Sequence, residues 1–300
     1  MHIKRILLLL VPYKKNGYKA YFLYGDNTSL RNVGTFALNL GFDEIVNEAG
    51  ASIPGSSRGA WGIYGEYLFD AISKNLSDDT NSKFIFALTT SNHSPYSLPK
   101  SYKVIPLEMP ESLKEKVYDK KESYKRFATY QYANEMLARF IDRVKNSKYA
   151  DNTIIAVTGD HRFNLYHEDS LLNTVKVPFY LYIPKSLKPK NVDTSVLGSH
   201  LDIMPTLYNL SLSNENYISE GIDLFSKKAL DNAIVWQEFI MDKSYAVELK
   251  ISDNKLLYHT CDKDYILRDS QKTKEHEKLE KHFLSMVAIS DYLIKNTGEQ

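Results

Sequence analysis

The sequence contains a single cysteine, Cys261, and this scarcity excludes two kinds of site. An internal disulfide needs two thiols, and a cysteine-rich zinc site needs several. Neither sign of charge dominates, because 38 lysines and arginines nearly balance 37 aspartates and glutamates. We therefore expect no nucleic-acid partner, since proteins that bind the phosphate backbone usually carry a clear basic patch.

No apolar run approaches the roughly 20 residues that a membrane-spanning helix needs. The run from Ile6 to Val11 in "MHIKRILLLLVPY" has a basic start but is followed by no small-residue cleavage site. It resembles a shortened signal peptide, but we favour a first core strand or an accidental start. A glycine-rich loop of the P-loop or Rossmann kind is also missing, which argues against nucleotide binding.

Predicted strands and helices alternate along most of the chain. Apolar runs typical of buried strands are separated by segments with helical spacing, of which residues 123–145 are the clearest. This order predicts an α/β fold, a mostly parallel central sheet with helices on both faces. After about residue 230 the pattern changes to alternation, which predicts a small C-terminal antiparallel sheet and then a helix at 272–296. The predicted buried strands lie within 17–26, 83–93, 153–158 and 175–184.

The segment "TIIAVTGDHR" (153–162) ends an apolar run with an acid beside an imidazole. Asp160 and His161 suit a divalent ion such as Zn²⁺ or Mn²⁺. Neighbouring strand residues point to opposite sides, so both reach one ion only if the backbone bends, and Gly159 permits that bend. The alternative is a carboxylate that caps a turn beside a surface histidine. We favour the metal site, because ligands gather beyond the carboxyl ends of parallel strands.

Other candidate side chains also follow predicted strands. His93 in "TTSNHSPY" either donates to an anionic oxygen or satisfies a loop carbonyl, and its local sequence favours neither. The local chemistry of Asp26 in "YGDNTSLRN" favours a turn that closes the strand. Arg31, Arg58 and Arg162 are able to clamp a phosphate, and only Arg162 gains from its position.

Histidines elsewhere favour structural roles. In "SHLDIMPT", His200 and Asp202 form a second acid–histidine pair, but Asp202 is expected to cap the following helix, whose first turn suits Pro205. His276 and His282 lie in the predicted C-terminal helix, and we place both on its solvent face.

Several motifs in this order resemble the sulfatase-like branch of the alkaline phosphatase superfamily. The likeness is greatest to the extracellular domain of lipoteichoic acid synthases and related phosphoglycerol or phosphoethanolamine transferases. The ordered series covers roughly residues 13 to 227, and its order makes it specific. The matching segments are "GYKAYFLYGDNTSLRN", "GFDEI", "WGIYGEYLFD", "FALTTSNHSPY", "YADNTIIAVTGDH", "VKVPFYLYIP", "SHLDIMPTLYNL" and "GIDLFSK".

The resemblance implies a reaction at a divalent metal. A threonine or serine nucleophile attacks a phosphodiester, and an acceptor hydroxyl or water resolves the covalent phospho-enzyme. By the same likeness Asp160 and His161 are ligands of one ion, with Mn²⁺ preferred and Zn²⁺ or Mg²⁺ as alternatives. The phosphoryl or glycerol group would meet a set of substrate-binding side chains: His93, Asp26, Arg162 and Arg31.

The implied partners belong to the cell envelope. They are a lipid that carries phosphoglycerol or phosphoethanolamine and a polymer or glycan acceptor, close to a membrane. The implied location is the outer face of the cytoplasmic membrane or the periplasm. The cytoplasm is the alternative for this chain, which has no transmembrane segment of its own.

The N-terminus departs from the family pattern. In this family the nucleophile and a further acidic metal ligand lie upstream of the "GYK" segment, but "MHIKRILLLLVP" contains no threonine, serine or acid. We therefore expect residues 13–227 to be a catalytic domain without its nucleophile-bearing segment, and 228–300 to be a subdomain packed on it. No catalytic residue is assigned, and whether the chain is an enzyme stays open.

The expected function is a transferase or sulfatase-like hydrolase with impaired turnover. One alternative is a non-catalytic remnant that binds anionic glycerol-phosphate or glycan head groups. Another is an unrelated α/β enzyme, such as a nucleotide-sugar transferase, in which Asp160 and His161 bind metal. The sequence lacks the glycine-rich phosphate loop that a nucleotide-sugar transferase would be expected to have.

Overall fold

A computed structural model describes residues 3–77, 81–162, 165–166, 168, 170–212, 215–253 and 255–296. Its α-helices are α1 (Ile3–Lys15), α2 (Val33–Asn39), α3 (Glu48–Ala51), α4 (Gly65–Ser77), α5 (Glu111–Lys114), α6 (Lys120–Lys145), α7 (Leu171–Val175), α8 (Ile203–Ser211) and α9 (Lys274–Asn296). Its β-strands are β1 (Lys19–Tyr24), β2 (Glu44–Val46), β3 (Arg58–Gly59), β4 (Gly62–Ile63), β5 (Lys83–Leu88), β6 (Ile155–Thr158), β7 (Phe179–Tyr182), β8 (Ile234–Trp236), β9 (Phe239–Met241), β10 (Tyr245–Lys250), β11 (Lys255–Cys261) and β12 (Leu267–Asp269). None of these helices combines the length and the apolarity of a membrane span.

A three-stranded parallel sheet lies at the centre, in the order β2–β1–β5. All residues of β1 after Lys19 are buried, because its apolar and aromatic side chains face helices on both sides. Leu23 packs with α4 and α6 on one face, while Phe22 packs with α2 on the other. This arrangement confirms the predicted α/β class, and β6 and β7 add a separate antiparallel pair.

The N-terminal apolar run forms helix α1, so the prediction of a first core strand was wrong. Leucine is a strong helix former, and β-branched residues are few in this segment. The helix is held by its second half, where Leu10 and Tyr13 are buried. The Tyr13 hydroxyl lies 3.0 Å from Ser211 Oγ, and Lys14 Nζ donates to Asp43 Oδ1 at 2.7 Å. Tertiary contacts therefore hold in place a helix that local propensity favours.

The predicted C-terminal antiparallel sheet and helix are confirmed. Five strands lie in the order β12–β11–β10–β9–β8, and α9 packs on β9 and β10 through the buried Leu279. His282 is exposed as predicted, but His276 is fully buried, which corrects the prediction for that residue. Its Nε2 donates to the His259 carbonyl at 2.9 Å, and its Nδ1 accepts from Thr273 N at 3.1 Å. The division of the chain at residue 228 stays a prediction.

The only thiol of the chain lies at the end of β11. Burial, together with the nearby carboxylates of Asp242 and Asp262, raises the pKa of Cys261 to about 12. We expect iodoacetamide at pH 8 to modify the native thiol at least about 100-fold more slowly than the urea-unfolded thiol, since the thiolate is the nucleophile. The native rate should rise as the pH approaches the raised pKa. Mass spectrometry measures both rates, and equal rates would contradict the expectation.

Candidate functional site

A deep cleft of about 2330 Å³ separates β5 from β6. All of β5 lines one wall and all of β6 lines another, and apolar side chains from α2, α6 and α8 lie between them. Segments that follow both strands also line the cleft, namely 89–94 after β5 and 159–162 after β6. Most of the predicted site residues therefore face one cavity.

Asp160 and His161 lie where the backbone bends after β6. Asp160 Oδ2 is 3.6 Å from His161 Nε2, and about three quarters of each side chain is exposed. His161 Nδ1 donates to the Arg162 carbonyl at 2.8 Å, since a carbonyl only accepts. The neutral ring therefore keeps a lone pair on Nε2, the atom beside the carboxylate, as a metal ligand requires.

The turn-capping alternative stays open at this position. His161 N donates to Asp160 Oδ1 at 2.9 Å, which is a bond to the next residue only, and Oδ2 lies beside the imidazole. The donor types fit a divalent ion. The donor number falls short, since no group of three or more metal-ligating side chains occurs in the described part of the chain. The metal site stays a prediction with two of the three protein ligands that catalytic sites normally supply.

A contact from a distant part of the chain holds this turn. His200 Nε2 donates to the Gly159 carbonyl at 2.8 Å, and His200 lines the same cleft. His200 is itself positioned by the buried Asp202, whose carboxylate accepts from Ser199 N at 2.7 Å. Sequence reasoning missed the contact between His200 and Gly159 because the two residues are 41 positions apart.

The predicted helix cap by Asp202 takes a different form. Asp202 makes no side-chain cap bond to α8, so that detail of the prediction was wrong. Its carboxylate instead closes a capping box with Ser199 around a short 3-10 turn, His200–Asp202, that precedes α8. The insertion of this turn moves the cap one turn upstream of the predicted helix start.

His93 lies in the loop after β5 and contacts Trp61, with ring centroids 4.3 Å apart and ring planes tilted by 55°. His93 Nδ1 donates to the Ser94 carbonyl at 3.0 Å, and Trp61 Nε1 donates to the same oxygen. Nε2 therefore donates to a phosphate oxygen only when the ring is protonated. Trp61 was not singled out from the sequence, where only the short segment "GAWG" marks it.

Gly62 brings this tryptophan close to the end of β1. Its φ is +93°, and an added Cβ would lie 2.0 Å from the carbonyl oxygen of Gly25. Only glycine fits so close an approach in the left-handed region. The turn that contains Trp61 therefore packs closely against the loop that contains Asp26.

The remaining candidates differ in their access to the cleft. Asp26 is buried and does not line the cleft, and its Oδ1 accepts from Asn27 N, the next residue, at 2.7 Å. The bond two residues on that closes such a turn is made instead by Asn27, whose Oδ1 accepts from Ser29 N at 2.9 Å. Arg31 lines the cleft and is exposed. Arg162 also lines it, and its guanidinium donates to the carbonyls of Asn173 and Tyr166 at 3.2 and 3.0 Å. The substrate-binding roles of these residues stay predictions.

Arg58 lies elsewhere, in an ion pair with Glu48 at 3.1 Å. It does not line the cleft, so the phosphate clamp considered for it has no support in the geometry.

Relatives with known names share part of the sequence. The chain is 24% identical over 259 residues to lipoteichoic acid synthase 1 of Bacillus subtilis, covering 81% of this chain and 39% of that protein. It is 25% identical over 228 residues to phosphoglycerol transferase I of Salmonella typhi, covering 74% and 29%. The chain thus spans less than half the length of these curated relatives.

Solved structures share the fold. The lipoteichoic acid synthase LtaP from Listeria monocytogenes superposes with a TM-score of 0.77 at 18% identity, covering 98% of this chain and 76% of that one. A protein of the alkaline phosphatase superfamily from Vibrio parahaemolyticus gives a TM-score of 0.72 at 23% identity, covering 97% and 68%.

The family model described as Sulfatase matches residues 7–211, which is more than half of the chain. The matched range includes β1, β5, β6 and α8, and therefore every predicted site residue. The resemblance in motif order is confirmed by this match and by the shared fold. The chain belongs to the sulfatase family, and it shares its fold with the lipoteichoic acid synthase LtaP.

Proposed function

We propose that the chain is a phosphoryl-transfer domain that binds a phosphoglycerol or phosphoethanolamine head group beside one divalent ion. The observation that supports it most is that Asp160 Oδ2 lies 3.6 Å from His161 Nε2 at the bend after β6, while His161 Nδ1 donates to the Arg162 carbonyl. The names of the relatives support the substrate class, since they are lipoteichoic acid synthases and phosphoglycerol transferases. The acceptor is a polymer or lipid of the cell envelope, or water in a hydrolase.

The residues of the chain have separate tasks in this proposal. Asp160 and His161 hold the ion, with Mn²⁺ as the preferred metal, and His200 fixes their turn through the Gly159 carbonyl. Protonated His93 donates to the phosphoryl or glycerol group, and Arg162 adds positive charge to the cleft wall. The bound ion supplies Lewis-acid stabilisation of charge on the phosphoryl oxygens.

The proposal has two versions: the chain either turns over a phosphodiester or only binds the head group. Transfer needs a nucleophile, and we assign none of the residues of this chain to that role. A chain without one binds the head group and hydrolyses a diester poorly, because positioning groups alone leave only residual catalysis. A chromogenic phosphodiester with Mn²⁺ separates an active transferase or hydrolase from a protein that only binds anionic head groups.

Replacement of His93 by alanine is expected to weaken glycerol phosphate binding about tenfold, because one charge-assisted hydrogen bond is lost. The His93 side chain is exposed, so the melting temperature should change little. Isothermal titration with Mn²⁺ present measures the affinity, and circular dichroism measures the fold. The exposed His282 on α9 provides the matched control, His282→Ala.

Two results would contradict the role of His93. Unchanged affinity in His93→Ala would remove the residue from the binding site. Unfolding of the variant would show that His93 supports the loop with Trp61 instead.

A further inference from the structure

The C-terminal five-stranded sheet has one face that α9 does not cover. Helix α9 packs on the opposite face, where Ile240 and Val247 contact Leu279. Directly opposed residues of antiparallel strands point to the same face, and so do residues two apart in one strand. The strand register therefore divides the face away from α9 into rows of side chains.

One row on this face attaches the sheet to the rest of the protein. It crosses all five strands and consists of Ile234, Met241, Ala246, His259 and Asp269. Its first three members are buried and pack with Leu171 and Leu172 of α7. This row is therefore part of the core and is closed to large ligands.

The next row on the same face is open to solvent and contains two aromatic rings. This aromatic row consists of Trp236, Phe239, Glu248 and Leu257. Trp236 is 40% exposed, and the centroids of its ring and that of Phe239 lie 6.4 Å apart. The two ring planes are inclined by only 24°, so their faces point in nearly the same direction. Adjoining exposed apolar groups of this kind mark interaction sites.

Hydrogen-bonding groups lie within and beside the aromatic row. Glu248 Oε2 is 3.3 Å from Nε2 of the buried His259, and His259 Nδ1 is 3.2 Å from Oδ1 of the exposed Asp269. Among the described residues neither ring nitrogen of His259 has a partner with hydrogen-bond geometry. Buried polar atoms are normally hydrogen-bonded. The pair of Glu248 and His259 therefore has hydrogen-bonding capacity left for a polar ligand.

The charges that the strands place on this face balance. Glu248 and Asp269 are acidic, and a third row consists of Lys250 opposite Lys255. Lys250 is itself paired with Asp253 at 2.9 Å. Neither an anion nor a cation gains much from such a face. Flat apolar rings beside hydrogen-bonding groups instead match an uncharged ligand with apolar faces and many hydroxyl groups.

From these observations we propose that the aromatic row binds an uncharged oligosaccharide. Sugar rings present C–H groups on their faces, which pack on aromatic rings, and hydroxyl groups at their edges, which donate to carboxylates. Two neighbouring sugar rings lie over Trp236 and Phe239, and Glu248 accepts from a hydroxyl of one of them. The aromatic row does not line the cleft, so this inference is independent of the proposed metal and phosphate chemistry.

The test titrates four neutral hexasaccharides into the full chain in EDTA: cellohexaose, maltohexaose, laminarihexaose and chitohexaose. Isothermal titration is expected to show saturable binding of at least one of them. The matching monosaccharide should bind at least about tenfold more weakly, because it covers only one aromatic ring. Absence of saturable binding by all four hexasaccharides would overturn the proposal.

A protein variant locates the bound saccharide. Trp236→Ala should weaken its binding at least about tenfold, since the larger aromatic contact is lost. Tyr124→Ala is the matched control, because Tyr124 is also 40% exposed but belongs to α6. It should bind the saccharide as the unchanged chain does. Equal affinity of the Trp236→Ala variant and the unchanged chain would remove the aromatic row from the site.

Fluorescence gives a second measurement that keeps Trp236 in place. The chain has two tryptophans, so in Trp61→Phe all tryptophan emission comes from Trp236. Saccharide binding should shift this emission to shorter wavelength, because the ring leaves water. This measurement decides the question if Trp236→Ala fails to fold. An unchanged emission spectrum at saturating saccharide would overturn the proposal.

Competition separates the aromatic row from the cleft. Glycerol phosphate should not displace the saccharide, because the proposed phosphate site and the aromatic row share no residue. Displacement by glycerol phosphate would assign the saccharide to the cleft and would overturn the proposal. The saccharide titrations contain EDTA, so a failure of the metal titration leaves their result unaffected, and the two proposals fail separately.

Discussion

Replacement of Asp160 by alanine is expected to remove divalent-metal binding. The two proposed ligands, Asp160 Oδ2 and His161 Nε2, lie 3.6 Å apart, so the loss of the carboxylate leaves a single imidazole from the pair. Outer partners alone change metal affinity by about 10–100-fold, and loss of a direct ligand should cost at least the upper figure. Isothermal titration of Mn²⁺ and Zn²⁺ into the chain and the variant measures the difference.

A matched control lies near the other end of the same strand. Asp151 is exposed and lines the same cleft, but it precedes β6. Asp151→Ala should therefore bind Mn²⁺ as the unchanged chain does. Unchanged affinity in Asp160→Ala would rule out the ligand role. If the unchanged chain binds no metal, the proposed function loses its central group.

Replacement of Asp202 by alanine is expected to lower the free energy of unfolding by about 3 kcal/mol. Asp202 is 3% exposed, and its carboxylate accepts from the backbone N–H groups of Ser199 at 2.7 Å and Ile222 at 2.8 Å. It also accepts from Asn232 Nδ2 at 3.4 Å. The variant leaves these buried donors without an acceptor. A buried donor without a partner costs its full desolvation free energy, which exceeds the net contribution of a typical hydrogen bond. Urea denaturation measures the loss.

Asp193→Ala is the control for Asp202→Ala. Asp193 is exposed and accepts from Ser195 N at 2.8 Å in a local turn, so its loss should cost less than about 1 kcal/mol. The Asp202 variant should also bind Mn²⁺ more weakly, because the turn that carries His200 to the Gly159 carbonyl loses its support. Equal stability of the two variants would contradict the proposed importance of the Asp202 carboxylate.

Much of the architecture was predictable from local sequence. The apolar run of β1, the helical spacing of α6 and the alternation after residue 230 predicted elements that the structure contains. Side-chain period and backbone propensity act over a few residues, so they are readable without tertiary information. Helical spacing does not say which side chains of α6 are covered, since Tyr132 and Met136 are buried and Tyr130 is 46% exposed.

The acid–histidine turn was also predictable, because its parts are neighbours. Asp160 and His161 follow an apolar strand, and Gly159 supplies the bend that places both side chains together. The identification of the family rested on the order of several motifs within residues 13–227, and the Sulfatase model matches residues 7–211. For both features, short-range chemistry was sufficient.

Tertiary structure decided the features that join distant segments. Three of these are the contact of His200 with Gly159, the burial of His276 of α9 against β11 and the docking of α1 through Leu10 and Tyr13. The cleft that β5 and β6 line together is a fourth. The hydrogen-bond and packing partners of a side chain come from segments that are distant in the sequence. They depend on how the whole chain folds, and a local residue pattern does not contain that information.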